Sequence, residues 1–279
     1  MNNIVSYGQQ QLNSFDVKPL NRVDSLILSE VAYFQLPRDM TKLGGWHGVR
    51  LAELFRAECF EKMFDGVWDG ESCRSFLAAL AASPRFRDVQ VMGYREQTNA
   101  ADEKQFAAVT FRIAKDLHYV AFRGTDASPV GWKEDFNMAF QYPVPSQEAA
   151  AKYLDEASLH CRGRLIIGGH SKGGNLAVYA GANCGQRTQK RIEKIYSHDG
   201  PGFAQNVLDS QAFQAILPRT EKTVPQSSLI GMLFENQEEF TIVKSRGIGL
   251  LQHDPYSWIV EDGDFVYPDR LAADARYLD

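Results

Sequence analysis

Cysteine is scarce. Cys59, Cys73, Cys161 and Cys184 are the only ones in 279 residues, with no Cys-x-x-Cys pair and no zinc-type spacing. A chain of this length buries enough surface to fold without disulfides, so reduced thiols are expected. No apolar run approaches the roughly 20 residues that cross a bilayer. The opening stretch, MNNIVSYGQQQLNSFDVKPL, lacks the basic start and apolar core of a secretion signal. These absences predict a cytoplasmic protein without a transmembrane segment. Clustered positive charge is also missing. The net charge is −5, and the one basic run, RTQKRIEK (187–194), reads as the solvated end of a helix. Nucleic acid is therefore not expected as a partner, because its phosphates demand grouped lysine and arginine. Internal repeats and low-complexity linkers are absent.

What remains is an ordinary globular composition, 44% hydrophobic and 23% charged, which argues against disorder. The length suits one large domain, and 1–279 is expected to form a single one. Its early part, about 20–83, reads as helical. Val23, Leu26, Ile27, Val31 and Phe34 recur at helical spacing behind Asp24, and GVRLAELFRAECFEKMF and ESCRSFLAALAAS have the same character until Pro84. Three strand-like runs follow, VQVMGYREQ, QFAAVTFRIA and LHYVAFRGT, the last two joined by a connection short enough for a hairpin. A helix capped by Ser146 and stopped by Gly163, the buried strand RLIIGG, the helix GGNLAVYAGANC and the strand-loop IEKIYSHDGPGF complete an alternation. It predicts an α/β protein with a mostly parallel central sheet, an antiparallel side and helices on both faces.

One junction carries chemistry. In IIGGHSKGGNLAVYA, Ser171 stands between Gly169 and Gly173, after an apolar strand and before a helix. Glycine-any-serine-any-glycine in that setting is a nucleophile elbow. The tight turn lifts the hydroxyl off the sheet edge, and the close approach of strand and helix leaves no room for side chains at the flanking positions. The helix that follows directs its amides and positive dipole end at the same spot, where an anion forming on a substrate is stabilised. The competing reading is a plain glycine-rich connection; the context favours the elbow.

A serine hydroxyl needs a base. Of the six histidines, His118 and His160 read as structural, His47 precedes the sheet, and His170 points the wrong way beside the serine. His198 and His253 follow the elbow. The order serine, acid, histidine selects His253 as base, with Asp199 as acid in the loop that GPG sharpens. Asp209, Glu221, Glu235 and Asp262 are weaker candidates, and a plain turn competes for DGPG.

Several stretches together resemble a known family. VAFRGTD, GWKEDFNMAF, GHSKGGNLAVYA, DGPGF, VPQSSLIGMLF and QHDPYSW look like the Mbeg1-like proteins, a bacterial branch similar to class 3 lipases within the α/β-hydrolase fold. The resemblance runs from about Val23 to Trp258 and implies serine-ester hydrolysis. It also implies an oxyanion hole: Thr125 holds the place of the family's FRGT donor, acting with the amide of Lys172. Two departures stand out. Class 3 lipases carry leucine where this chain has Lys172, a cation that would favour an anionic substrate or pair with Glu134 or Asp135. They take their acid from an Asp-x-Val-Pro run, and KTVPQSS has no aspartate, so Asp199 from the preceding strand is the replacement.

The leading expectation is an esterase or lipase-like hydrolase working through an acyl-enzyme on a small-molecule or lipid ester, with no cofactor. The apolar run SSLIGMLF (227–234) is read either as lining or covering an acyl pocket or as a core segment. A catalytically silent binding or scaffold protein on the same fold is the second reading. A third takes His198–Asp199 and His253–Asp254 as metal ligands of a phosphohydrolase. It is disfavoured because both pairs lie in loops beside glycine or proline, so no metal is expected.

Overall fold

The computed structural model describes residues 2–37, 44–67, 69–99, 104–125 and 142–268. Its longer helices are α1 (Ile4–Gln10), α2 (Arg22–Val31), α4 (Gly70–Ala82), α5 (Pro145–His160) and α6 (Lys172–Asn183), with a single-turn α3 (Phe60–Met63). Eight strands form one sheet whose spatial order is their chain order. They are β1 (Val49–Arg50), β2 (Gln90–Asn99), β3 (Lys104–Ala114), β4 (Leu117–Phe122), β5 (Arg164–His170), β6 (Ile192–His198), β7 (Thr220–Pro225) and β8 (Phe240–Val243). Pairing is antiparallel from β1 to β4 and parallel from β4 to β8. The parallel part with its crossover helices and the antiparallel flank both match the sequence expectation.

Side chains alternate across a strand, and the two faces of the sheet collect different cores. Tyr119 and Ala121 of β4 and Ile166 of β5 join α2 and α4 in one apolar cluster. Val120, Phe122, Leu165 and Ile167 join α5 and α6 in the other. Both faces of β4 and β5 are covered, which is why these strands read as unbroken apolar runs. Layered this way, with a sharp turn between β5 and α6, the chain has the α/β-hydrolase fold.

Local signals explain the helix starts. Asn21 caps α2 by accepting from the amides of Val23 and Asp24, and the Asn21 amide in turn donates to the Asp24 carboxylate at 2.9 Å. Asp24 also receives Arg85 at 2.6 Å, with neither side chain exposed. Two expectations need correction. The cap of α5 is Val144, not Ser146, because Pro145 fixes the first helical position and Ser146 is buried inside the helix. The stretch 48–64 is not one helix. Val49 pairs with Val91, and the amides of Leu51 and Ala52 go to the carbonyls of Val89 and Arg87. Backbone groups committed to a neighbouring segment are lost to an α-helix, leaving two short 3₁₀ turns and α3.

Candidate active site

Ser171 sits between β5 and α6 with φ 59° and ψ −135°, a left-side conformation that non-glycine residues seldom adopt. The turn is held by Ser171 N donating to the His198 carbonyl at 2.9 Å and Gly174 N donating to the Ser171 carbonyl at 2.9 Å. The flanking glycines are steric necessities. A Cβ on Gly169 would lie 2.2 Å from the backbone carbon of Gly173, and one on Gly173 would lie 2.1 Å from the Phe122 carbonyl oxygen. The hydroxyl is thereby presented at the carboxyl edge of the parallel strands, in front of the amino end of α6.

Three of the residues singled out in the sequence meet there. His253 Nε2 is 2.8 Å from Ser171 Oγ, and His253 Nδ1 is 2.6 Å from Asp199 Oδ2. The matching tautomer carries its proton on Nδ1, donates it to the carboxylate and leaves Nε2 to accept from the serine. Asp199 follows β6 directly, with φ 50° and its amide donating to the Thr223 carbonyl at 2.7 Å. Its carboxylate is almost wholly buried, whereas the His253 side chain is about a quarter exposed. The second oxygen, Oδ1, accepts from the Gly231 amide at 3.1 Å and from the Ser228 hydroxyl.

His253 reaches the serine on a loop fastened from several sides. The Gln252 side chain accepts from the Ser227 amide at 3.0 Å, and the Trp258 indole donates to the Gln252 carbonyl at 2.8 Å. The amino-terminal segment also holds this loop: Asn3 Nδ2 donates to the Tyr256 carbonyl at 2.9 Å, and Val260 N donates to the Asn2 carbonyl at 3.1 Å.

The remaining candidates separate. His198 is buried with Nε2 2.9 Å from Ser25 Oγ, and burial drives its pKa down to about 3. Asp254 accepts from the Tyr256 amide rather than joining His253. The two His-Asp pairs therefore contribute one member each to the cluster at Ser171. Among the described residues no group of three or more His, Cys, Asp and Glu side chains is placed to hold a metal ion. Asp209 bonds Gln205, and Glu221 pairs with Lys194 and Arg22. Lys172 is the first residue of α6, but its side chain turns inward and the ammonium donates to the Gln105 carbonyl of β3 at 3.2 Å. Glu134 and Asp135, and the whole of GWKEDFNMAF, lie outside the described residues. Thr125 is half-buried three residues past β4. Beside it, Gly124 is pressed so closely against Tyr33 and the His170 carbonyl that a Cβ would meet them at 2.0 and 2.7 Å.

The run 227–234 is not a core segment. Leu229, Met232, Leu233 and Phe234 are exposed, and so are Ile248, Leu250 and Leu251 just before His253. The Ser227–Gln252 hydrogen bond ties these two apolar loops together beside the imidazole. Sequence reasoning missed the supporting cast: Ser228 and Gly231 behind Asp199, and Glu30 and Tyr33 near His170. The first two lay inside a run read only for its apolarity. The last two come from α2 and the turn after it, about 140 residues before the elbow, with no spacing to reveal them.

No curated protein matches the chain. Among solved structures, the chain is similar to the Rhizomucor miehei lipase in its propeptide complex, with TM-score 0.47 and 14% identity, covering 86% of this chain and 67% of that one. It is similar to a lipase from Rhizopus microsporus var. chinensis, with TM-score 0.46 and 16% identity over 77% of each chain. A fungal lipase–inhibitor complex gives TM-score 0.45 and 15% identity, covering 81% of this chain and 71% of that one. No helix of the described residues is long and apolar enough to cross a membrane. The Mbeg1-like family model matches residues 80–279, well over half of the sequence and including Ser171, Asp199 and His253, and the chain belongs to that family.

Proposed function

We propose that this protein is a serine hydrolase that cleaves carboxylic esters through an acyl-enzyme. The observation that carries the reading is the unbroken line from Ser171 Oγ to His253 Nε2 at 2.8 Å and from His253 Nδ1 to Asp199 Oδ2 at 2.6 Å, built on a strained elbow. Ser171 attacks the ester carbonyl as His253 takes its proton. Asp199 keeps the imidazole in the required tautomer and stabilises the cation formed. The oxyanion faces the amino end of α6, where the amides of Lys172 and Thr125 serve as donors, each worth about 3 kcal/mol in the transition state. The imidazolium returns its proton to the leaving alcohol, and water then releases the acid by the same steps in reverse.

The acyl group is aliphatic or lipid in this reading. Its support is the paired apolar loops at 229–234 and 248–251, which expose leucine, isoleucine, methionine and phenylalanine beside the imidazole. The test is hydrolysis of p-nitrophenyl esters of increasing acyl length by wild type and Ser171→Ala, with fluorophosphonate labelling of the serine. Turnover and labelling that both vanish in Ser171→Ala support the mechanism. Full activity in Ser171→Ala refutes it, and a folded protein that neither labels nor turns over any ester is a silent scaffold.

A further inference from the structure

His170 does not point at the serine, but it has a contact with the loop that carries the base. Its Nε2 lies 2.9 Å from the main-chain carbonyl of His253. A carbonyl only accepts, so the ring proton is on Nε2 and Nδ1 carries a lone pair. Two groups, Glu30 near the end of α2 and Tyr33 just past it, face that lone pair. The Tyr33 hydroxyl lies 3.2 Å away, and it is equally close to the His170 carbonyl. Glu30 Oε1 also lies 3.2 Å away; the side chains of Glu30 and His170 are both more than nine-tenths buried, and this oxygen has no hydrogen-bond partner among the described residues.

A carboxylate cannot rest against a lone pair without water to separate them. Either the carboxyl keeps its proton and donates it to a neutral imidazole, or the imidazole is a cation. The neighbouring ring decides between these. The His170 and His253 rings are 4.7 Å apart, centroid to centroid. His253 must become a cation when it takes the serine proton, and a cation already beside it would oppose that step. Burial acts on both partners in the same sense. It pushes Glu30 up to about 8, against the pull of His253, and it drives His170 down to about 3, with His253 adding to the effect.

We infer that Glu30 and His170 are a positioning pair for the reaction: a proton-bearing carboxyl on α2 orients the His170 ring, whose Nε2–H fixes the main chain of His253 over Ser171. The inference rests on the serine-hydrolase reading. The groups that face or feel Glu30 are His170 from β5, Tyr33 beyond its own helix, His253, Asp254 and Tyr256 from the histidine loop, and Cys73 from α4. Burial holds Cys73 up near 12 and Asp254 up near 6, so near neutrality Asp254 is the only anion among them, and its charge helps retain the Glu30 proton. Loss of that proton in alkali sets a carboxylate against the Nδ1 lone pair and loosens the turn at His253. Turnover then falls, while substrate affinity, which depends on the apolar loops, stays.

The experiment uses the full chain as wild type, Glu30→Gln and Glu30→Met. Nitrogen NMR of labelled histidines reads the His170 tautomer, and kcat and KM for a p-nitrophenyl ester are followed from pH 5.5 to 9.5. The expected result has His170 neutral with its proton on Nε2 at neutral pH, and a wild-type kcat that falls above pH about 8 at constant KM. Glu30→Gln, which keeps a donor and cannot ionise, should retain kcat and lose the alkaline fall. Glu30→Met should lower kcat by about tenfold or more through a displaced imidazole. A proton on His170 Nδ1, titration of His170 near 6.5, or a Glu30→Met profile like wild type overturns the inference. The tautomer is read without turnover, so a protein that hydrolyses no ester still tests the pair, and the hydrolase reading fails separately. If Glu30→Met does not fold, the tautomer and Glu30→Gln decide.

Discussion

Asp199 divides its two oxygens: Oδ2 lies 2.6 Å from His253 Nδ1, while Oδ1 is held by the Gly231 amide and the Ser228 hydroxyl. The carboxylate is anchored on one side so that it can orient on the other. Asp199→Asn should preserve the fold and place an amide against Nδ1, favouring the wrong tautomer. The expected loss in kcat is about 10⁴-fold with little change in KM. Steady-state kinetics on a chromogenic ester check it, and an active Asp199→Asn would move the acid to another residue.

The anchor itself is testable. Ser228→Ala removes one donor and should lower kcat by roughly tenfold, in proportion to about 1–1.5 kcal/mol for one hydrogen bond. Gly231→Ala should be worse, because its Cβ would lie 2.3 Å from Asp199 Oδ1 and displace the carboxylate. The ordering of the two variants is the prediction. A Gly231→Ala variant more active than Ser228→Ala counts against the anchor.

The elbow glycines should act on folding before they act on rate. In Gly169→Ala and Gly173→Ala the new methyl meets backbone atoms at 2.2 and 2.1 Å, which no rotamer change relieves. A cost of about 3 kcal/mol or more is expected, read as a lowered urea midpoint or loss of folded protein. Arg85→Met provides the contrast. It strips the buried partner from Asp24 and should cost about 3–5 kcal/mol, yet kcat per folded molecule should hold because the guanidinium bonds Asp24 and the carbonyls of Asn13, Lys18 and Pro19 and not the Ser171 cluster.

Buried titratable groups set a pH profile for stability. Burial lowers His118 to about 4 and His170 and His198 to about 3. As pH falls below about 6.5 the unfolded chain takes up protons that these folded histidines refuse, so stability drops. Burial raises Glu30 to about 8 and Asp254 to about 6, which acts in the opposite sense. The folded chain keeps protons that the unfolded chain releases at about pH 4, so each carboxyl erodes stability as pH climbs to its folded value. Three histidines outweigh two carboxyls below pH about 6.5, and Glu30 acts alone from there to about 8. For these groups the maximum lies near pH 6.5. Urea midpoints at pH 5, 6.5 and 8 test it, and His198→Asn should flatten the acid side.

How much of this was legible in the sequence depends on how local each constraint is. Gly169, Ser171 and Gly173 announce themselves because one turn imposes all three. Asp199 and His253 follow from chain order and from the loops that carry them, and the structure brings both to the serine. The alternation around β4 and β5 also reads directly, because each face is buried by its own layer. The stretch 48–64 misled because its apolar residues suggest a helix, whereas the backbone partners of 49–52 lie at 87–91, which the local pattern does not show. Glu30 was hidden by distance along the chain: nothing in α2 marks one carboxyl as the neighbour of a histidine 140 residues later.

The fastening of the histidine loop to the amino-terminal segment, Asn3 to Tyr256 across 253 residues, also bears on synthesis. Ser171 and its elbow emerge from the ribosome about 85 residues before Tyr256. At roughly 5–20 residues per second, that is an interval of several seconds. During it Asn3 and the segment that carries Ser171 have been made, while Tyr256 and the loop that brings His253 to Ser171 have not. On the proposed mechanism, Ser171 therefore meets its base only after nearly all of the sequence up to Tyr256 has been made.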